Sequence, residues 1–223
     1  MEANPLVPDI LFHLGPVPIS RPVLTTWAIM AVLTAVSWLG LRRASIHGNA
    51  LQTVLEIVVE TLEKQVSEII RRDPWPYLPL LGTLFIFLVL ANLSAVVPGM
   101  KPPTAHIETP AALAAIVFSS VHYFGIRSRG LAEYARRYTR PNLLLLPLNV
   151  LSEFTRTFSL MVRLFGNMMS HAFVIAIVVF MAGLFLPIPF MLLGILIGII
   201  QAYIFTVLAA VYIGAAVGNV EAE

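Results

Sequence analysis

Ser159-Leu160-Met161-Val162-Arg163-Leu164-Phe165-Gly166-Asn167-Met168-Met169-Ser170-His171 places an arginine, an asparagine and a histidine inside a largely apolar run from Leu143 to Leu186. An Arg near the centre of a bilayer costs about 2.5–3.5 kcal/mol on insertion scales, so an intramembrane guanidinium marks a functional position by default. At about 100° per residue, Asn149, Arg156, Arg163, Asn167 and Ser170 fall on one face of a helix, within roughly 40° of Arg163. The result is a polar stripe along a membrane helix. Glu153 and Arg156 are spaced i, i+3 and suit a structural ion pair, whereas Arg163 has no carboxylate three or four positions away on either side. Its partner must come from another helix or another chain.

Composition gives the setting for this stripe. The chain of 223 residues is 58% hydrophobic and only 12% charged, with no Cys. Its mean hydropathy is +0.87. A soluble domain carries about 25% charged residues, so this is an all-α integral membrane protein in expectation. The absence of Cys excludes disulfides and thiolate metal sites, and the five His lack H-x-x-x-H spacing, so no metal or cofactor is expected. The net charge of +2 says little, but the basic residues are bunched in short polar gaps, which carries orientation.

Outward from the stripe, residues 1–22 are polar and rich in Pro, which predicts an external N-terminal segment. Residues 23–43 read as a first spanning helix closed by Arg42-Arg43, with its C-terminal end in the cytoplasm. The stronger charge pair follows the apolar stretch, unlike a signal peptide. Residues 49–72 alternate apolar and acidic positions with helical period, predicting an amphipathic helix on the cytoplasmic membrane surface with an acidic outer face suited to a protein neighbour. Residues 75–97 form a second span containing Asn92, read as interhelical glue, and 107–126 a third, started inside the link that holds His106 and Glu108. Residues 127–141 are the densest positive cluster and are expected as a cytoplasmic loop. A nucleic-acid role for it is not expected, because base-stacking aromatics are sparse. Pro147 is expected to break the apolar run near its start, and residues 148–186 still exceed the roughly 20 an upright span needs, so that helix tilts or bends. Pro187-Ile188-Pro189 is expected to turn the chain into a final helix, 189–217, whose Gly194, Gly198 and Ala202 form a small-residue stripe for close packing. That makes about five spans, the last two a long tilted hairpin.

The string Ser159-Leu160-x-x-Arg163-Leu164-Phe165-Gly166-Asn167-Met168, with Gln201-Ala202-Tyr203-Ile204-Phe205-x-Val207-Leu208 on the last segment, resembles the a subunit of the rotary F-type ATP synthase. The likeness is densest from Pro147 to Gly214 and weaker around Asn92 and from Pro98 to Ala115. It implies an ion-conducting stator, not itself catalytic, beside a rotating c-ring in the bacterial inner membrane. Its partners would be the c-ring, the peripheral-stalk b subunits and the lipid bilayer. The N-terminus would lie outside and the C-terminus in the cytoplasm. By resemblance Arg163 separates two half-channels and Asn167 lines one of them. Gln201 steadies the Arg by hydrogen bonds, with plain helix-to-helix glue as the alternative, and Glu153 stands on the cytoplasmic approach. Ser170 and Tyr203 accompany them along the ion path.

One departure stands out. Many members carry an acidic residue or His nine positions after the Arg and a complementary Glu or His seven before the Gln, and here those positions are Ala172 and Gly194. His171, one position earlier, is the substitute candidate, with a packing His as the alternative. The coupling ion is H+ or Na+, a choice that in this family lies with the c-ring. A competing reading from another class is a secondary transporter or importer permease whose buried Arg binds an anionic substrate. It would transport alone, whereas a stator needs its ring. An intramembrane enzyme finds no support, since no H-E-x-x-H or paired aspartates lie on the apolar segments.

Overall fold

The computed structural model describes residues 10–14, 17–42, 50–96, 102–139, 146–183 and 187–218. The expected cations Arg43, Lys101 and Arg140 lie outside these residues. Among the described residues the chain is helical except for a short N-terminal ribbon and the links between helices, in keeping with an all-α membrane protein. That ribbon pairs β1 (Ile10–Leu14) with β2 (Val17–Ser20), antiparallel, with Phe12 opposite Ile19 and Leu14 opposite Val17. The sequence reading gave this segment no regular structure, because its prolines argue against helix. Pro18 is tolerated because a ribbon strand has one unpaired edge, where a missing N–H costs nothing.

α1 (Arg21–Arg42) follows directly, with Pro22 in its first turn. α2 (Ala50–Ile70) turns Leu62, Val66 and Ile70 inward at i, i+4, i+8 and leaves Glu56, Glu60 and Glu68 exposed, which is the amphipathic pattern realised. Arg71, at φ 53°, ends it. α3 (Leu78–Leu93) continues into a 3-10 turn, Ser94–Val96, and a second such turn, Pro103–Ala105, leads to α4 (Glu108–Arg129). α4 runs past Ile126, so Arg127 and Arg129 ride its last turn, where cations favour the carbonyl end.

The stretch expected as a basic loop is largely helix. Gly130, at φ 82°, breaks α4, and α5 (Leu131–Thr139) starts at once from good helix formers. Tyr134 anchors α5. Its ring is buried against Gly125, where any Cβ would collide with it, and lies 5.9 Å from the His122 ring. Clustered positive charge was read as loop, but the anchoring aromatic decides for helix.

α6 (Leu146–Ala182) has 37 residues and α7 (Pro187–Val217) has 31. Pro147 stands in the first turn of α6 and so opens the helix instead of breaking it. Pro187 and Pro189 likewise fall in the first turn of α7 and are not the turn expected of them; Gly183, at φ 73°, ends the preceding helix. Four helices among the described residues, the α3 segment, α4, α6 and α7, are long and apolar enough to cross a membrane. α1 has the span's expected limits but is not among those four.

α7 is the central post. It packs most extensively against α3 and α4 and less against its hairpin partner α6, and it also touches α2. Its small residues explain this, each making room for a different neighbour. Gly198 faces Asn92 of α3, with a Cβ there falling 2.9 Å from the Asn92 Cβ, and Gly214 faces the Ile70 backbone of α2. In lipid no hydrophobic drive pulls helices together, so close packing of this kind and interhelical hydrogen bonds must hold the bundle. α6 is the opposite case. Only 11% of its span is buried, against 39% for α3 and α4. Leu160, Leu164 and Met168 form its buried edge, while Leu148, Leu151, Phe154 and Phe158 stand exposed on the other side.

Candidate functional site

The polar stripe of α6 runs along the shoulder between these two faces. With Leu164 as reference, the buried edge and the exposed apolar face lie roughly on opposite sides of the helix, and Arg163, Asn167 and Ser170 fall between them, toward α7. Arg163 is exposed, near the middle of α6, and has no hydrogen-bond or ion-pair partner among the described residues. One turn on, Asn167 Nδ2 donates to Gln201 Oε1 of α7 at 2.6 Å. Gln201 is 3% exposed, and its own Nε2 is the one buried side-chain polar atom among the described residues that has no partner. Among the described residues Gln201 makes no hydrogen bond to Arg163; its Oε1 accepts from Asn167, and its Nε2, a donor like the guanidinium, cannot bond to the Arg.

Glu153 and Arg156 do not form the ion pair their spacing allows. The Arg156 guanidinium lies 5.7 Å from the Tyr212 ring centre on α7, a cation–π geometry, and Glu153 is half-buried with no ion-pair partner among the described residues. Ser170 is exposed on the stripe. Tyr203 leaves the stripe altogether, its hydroxyl donating to Gln65 Oε1 of α2 at 2.9 Å.

His171 is held between the two long helices. Its Nε2 lies 3.0 Å from the Phe190 carbonyl of α7, and its ring fills the space over Gly194, where a Cβ would fall inside the imidazole. The missing side chain at 194 and the ring from 171 are therefore one feature. An imidazole supplied by α6 occupies the room a side chain from α7 would need.

A second polar cluster went unnoticed in the sequence beyond Asn92 itself. Asn92 Nδ2 donates to the Gly198 carbonyl at 2.8 Å, and Thr104 Oγ1 donates to Asn92 Oδ1 at 2.8 Å, all buried. Asn92 is therefore glue between α3, the Pro103–Ala105 turn and α7. Thr104 lies in a short polar link, where periodicity carries no signal. Glu108, at the start of α4, accepts a hydrogen bond from Ser20 Oγ at 2.8 Å and so ties down the N-terminal ribbon. No group of three or more His, Cys, Asp or Glu placed to hold a metal occurs among the described residues.

The chain resembles known proteins over nearly its whole length. The sequence profile of the family described as ATP synthase A chain matches residues 23–214. The chain is 60% identical over 220 residues to ATP synthase subunit a 2 of a Bradyrhizobium strain, covering 99% of each chain. It is 46% identical over 213 residues to ATP synthase subunit a 2 of Pelobacter propionicus, covering 96% of this chain and 93% of the relative. It is also 46% identical over 215 residues to ATP synthase subunit a of Albidiferax ferrireducens, covering 95% and 93%.

Proposed function

The chain belongs to the ATP synthase A chain family, and from this we propose that it is the ion-conducting stator of an F-type ATP synthase, passing H+ or Na+ through two half-channels to and from a c-ring. The observation that carries the reading is Arg163. A guanidinium in the middle of a membrane-spanning helix, exposed and without a partner among the described residues, fits a carboxylate supplied from outside the chain. A rotor subunit passing in front of α6 supplies one.

The chemistry follows from Arg163 being a cation that cannot deprotonate, which blocks direct passage of ions between the half-channels. It also favours the charged form of a carboxylate that faces it, so the ion leaves that rotor subunit there. Asn167 lines the path beside the Arg, with Gln201 fixing its amide through the 2.6 Å bond. Ser170 continues the stripe, and His171 stands on the outer approach. Glu153, unpaired, is placed to accept or deliver ions on the cytoplasmic side, and Tyr203 acts from α7 by holding α2. The subunit is not itself catalytic. α1 supplies the fifth span, the N-terminus lies outside and the C-terminus in the cytoplasm of a bacterial inner membrane. The exposed carboxylates of α2 face the peripheral-stalk b subunits.

Replacement of Arg163 tests the reading. A structural ion pair broken by Arg163→Ala leaves a buried charge, costs about 3–5 kcal/mol and impairs assembly. A barrier residue behaves otherwise. Arg163→Ala should leave the ring and stator co-purifying while ATP-driven pumping and ATP synthesis are abolished. Arg163→Lys should also uncouple, because an ammonium can lose its proton. Coupled pumping near the wild-type rate in vesicles carrying Arg163→Ala would end the stator assignment.

A further inference from the structure

Where α3 begins and α4 ends, a cavity of about 500 Å³ opens between Pro76, Tyr77, Tyr123, Phe124, Arg127 and Ser128. Its wall is aromatic. Phe124 meets Tyr77 edge-on at 4.9 Å between ring centres and Tyr123 at 5.3 Å. Its rim is cationic. Arg127 Nη1 donates to the Tyr123 hydroxyl at 2.8 Å, and Arg72 Nη1 donates to Ser128 Oγ at 3.2 Å. Each bond uses one of the five N–H donors a guanidinium carries. Both arginines are exposed. The adjacent carboxylate, Asp73, accepts a hydrogen bond from the Trp75 backbone N–H at 3.2 Å. Burial raises the Tyr77 phenol above its usual pKa, with a smaller lowering by Arg72 and a further raising by the Asp73 carboxylate, so the phenol stays neutral.

Nothing in the stator reading uses this cavity, which stands apart from Arg163 and Asn167. Its position is that of a membrane–water boundary, because Leu78 opens one membrane span, Arg129 closes another, and Trp75 projects beside them, 63% exposed. Aromatic residues concentrate at headgroup depth, and basic pockets between spanning helices there receive anionic headgroups. A guanidinium binds two oxygens of one phosphate at once, and two guanidiniums at one rim match a phosphodiester better than a zwitterion whose ammonium they would repel. We infer that the Arg72–Arg127 rim and the Tyr77–Tyr123–Phe124 wall form a binding site for the headgroup phosphate of an anionic phospholipid. The aromatic wall takes the glycerol and upper acyl carbons.

Trp75 reports on the site. In the full chain carrying Trp27→Phe and Trp38→Phe, Trp75 is the sole tryptophan. In nanodiscs of phosphatidylcholine, phosphatidylglycerol brominated near the headgroup should quench Trp75 half-maximally at a mole fraction about tenfold lower than brominated phosphatidylcholine does. Arg72→Gln with Arg127→Gln should abolish that preference, and equal quenching by the two lipids, or a preference that survives both substitutions, overturns the site. Arg72→Lys with Arg127→Lys keeps the charge but loses the two-pronged contact, and should reduce the preference. A lysine pair at the wild-type level overturns a site built on guanidinium forks. Millimolar inorganic phosphate should not relieve the quenching. Relief would assign the cavity to a soluble phosphate and overturn the lipid.

Discussion

Gly194→Ala probes the contact between α6 and α7 beside the polar stripe. A Cβ at 194 falls inside the His171 ring, but that ring is the far end of a two-torsion side chain and is only half-buried, so it can swing aside. The cost is then the lost Nε2 contact with the Phe190 carbonyl, now 3.0 Å, worth about 0.6–1.7 kcal/mol for an interhelical hydrogen bond in a membrane. Against it stands the gain of replacing Gly by Ala inside a helix, about 0.8–1.0 kcal/mol. The two nearly cancel, so Gly194→Ala alone should lie within about 1 kcal/mol of the parent. In a His171→Ala background no ring is displaced, and the same substitution should stabilise by the full helix gain. The coupling between the sites is therefore about 0.6–1.7 kcal/mol. Unfolding of the four proteins by SDS in mixed micelles, followed by circular dichroism, measures it. If Gly194→Ala has the same effect with and without the imidazole, the ring does not occupy that space and the reasoning is wrong.

Asn92→Leu removes two buried hydrogen bonds joining α3 to Thr104 and to the Gly198 carbonyl, and should cost about 1–3 kcal/mol in the same assay; a loss below a few tenths would show these bonds to be idle. Gln201→Met deletes the bond to Asn167 together with the orphan Nε2, so stability should change by less than about 1 kcal/mol while ion flux through the reconstituted complex falls. Unchanged flux would make Gln201 plain packing. His171→Ala should lower flux at neutral pH and alter its pH dependence in vesicles, and an unaltered profile would leave His171 only its packing contact with Gly194. Single-Cys labelling is clean in a chain without Cys. Residue 5 should react only from outside and residue 60 only from the cytoplasm, and the reverse pattern would invert the proposed topology.

Much of the fold was legible because apolar length and charge placement act locally. The limits of α2 and the start of α4 could be read from periodicity and from the length a span needs. Prolines misled in a consistent way. Pro147, Pro187 and Pro189 were read as breaks, yet each sits where a helix begins and its missing N–H is harmless, a distinction that depends on which side the helix lies. α5 escaped notice because its decisive contact, Tyr134 on Gly125, joins two segments across a glycine turn. At the site, the sequence could place Arg163, Asn167 and Ser170 on one face, since that is helix arithmetic. It could not choose the partner of Gln201 or show that Gly194 and His171 share one volume, because both depend on how α7 is set against α6.

The sparse burial of α6 changes what the stability of this chain means. With 11% of that span covered by its own chain, much of what holds the helix in place must be lent by whatever covers its outer face, and a binder of the folded state stabilises as RT ln(1 + [L]/Kd), about 2.7 kcal/mol at a hundredfold excess over Kd. Persistence thereby becomes a matter of mass action. A copy whose outer α6 face is left uncovered lacks that contribution and opens more often, so the stability of this chain is a property of its surroundings as much as of its own contacts.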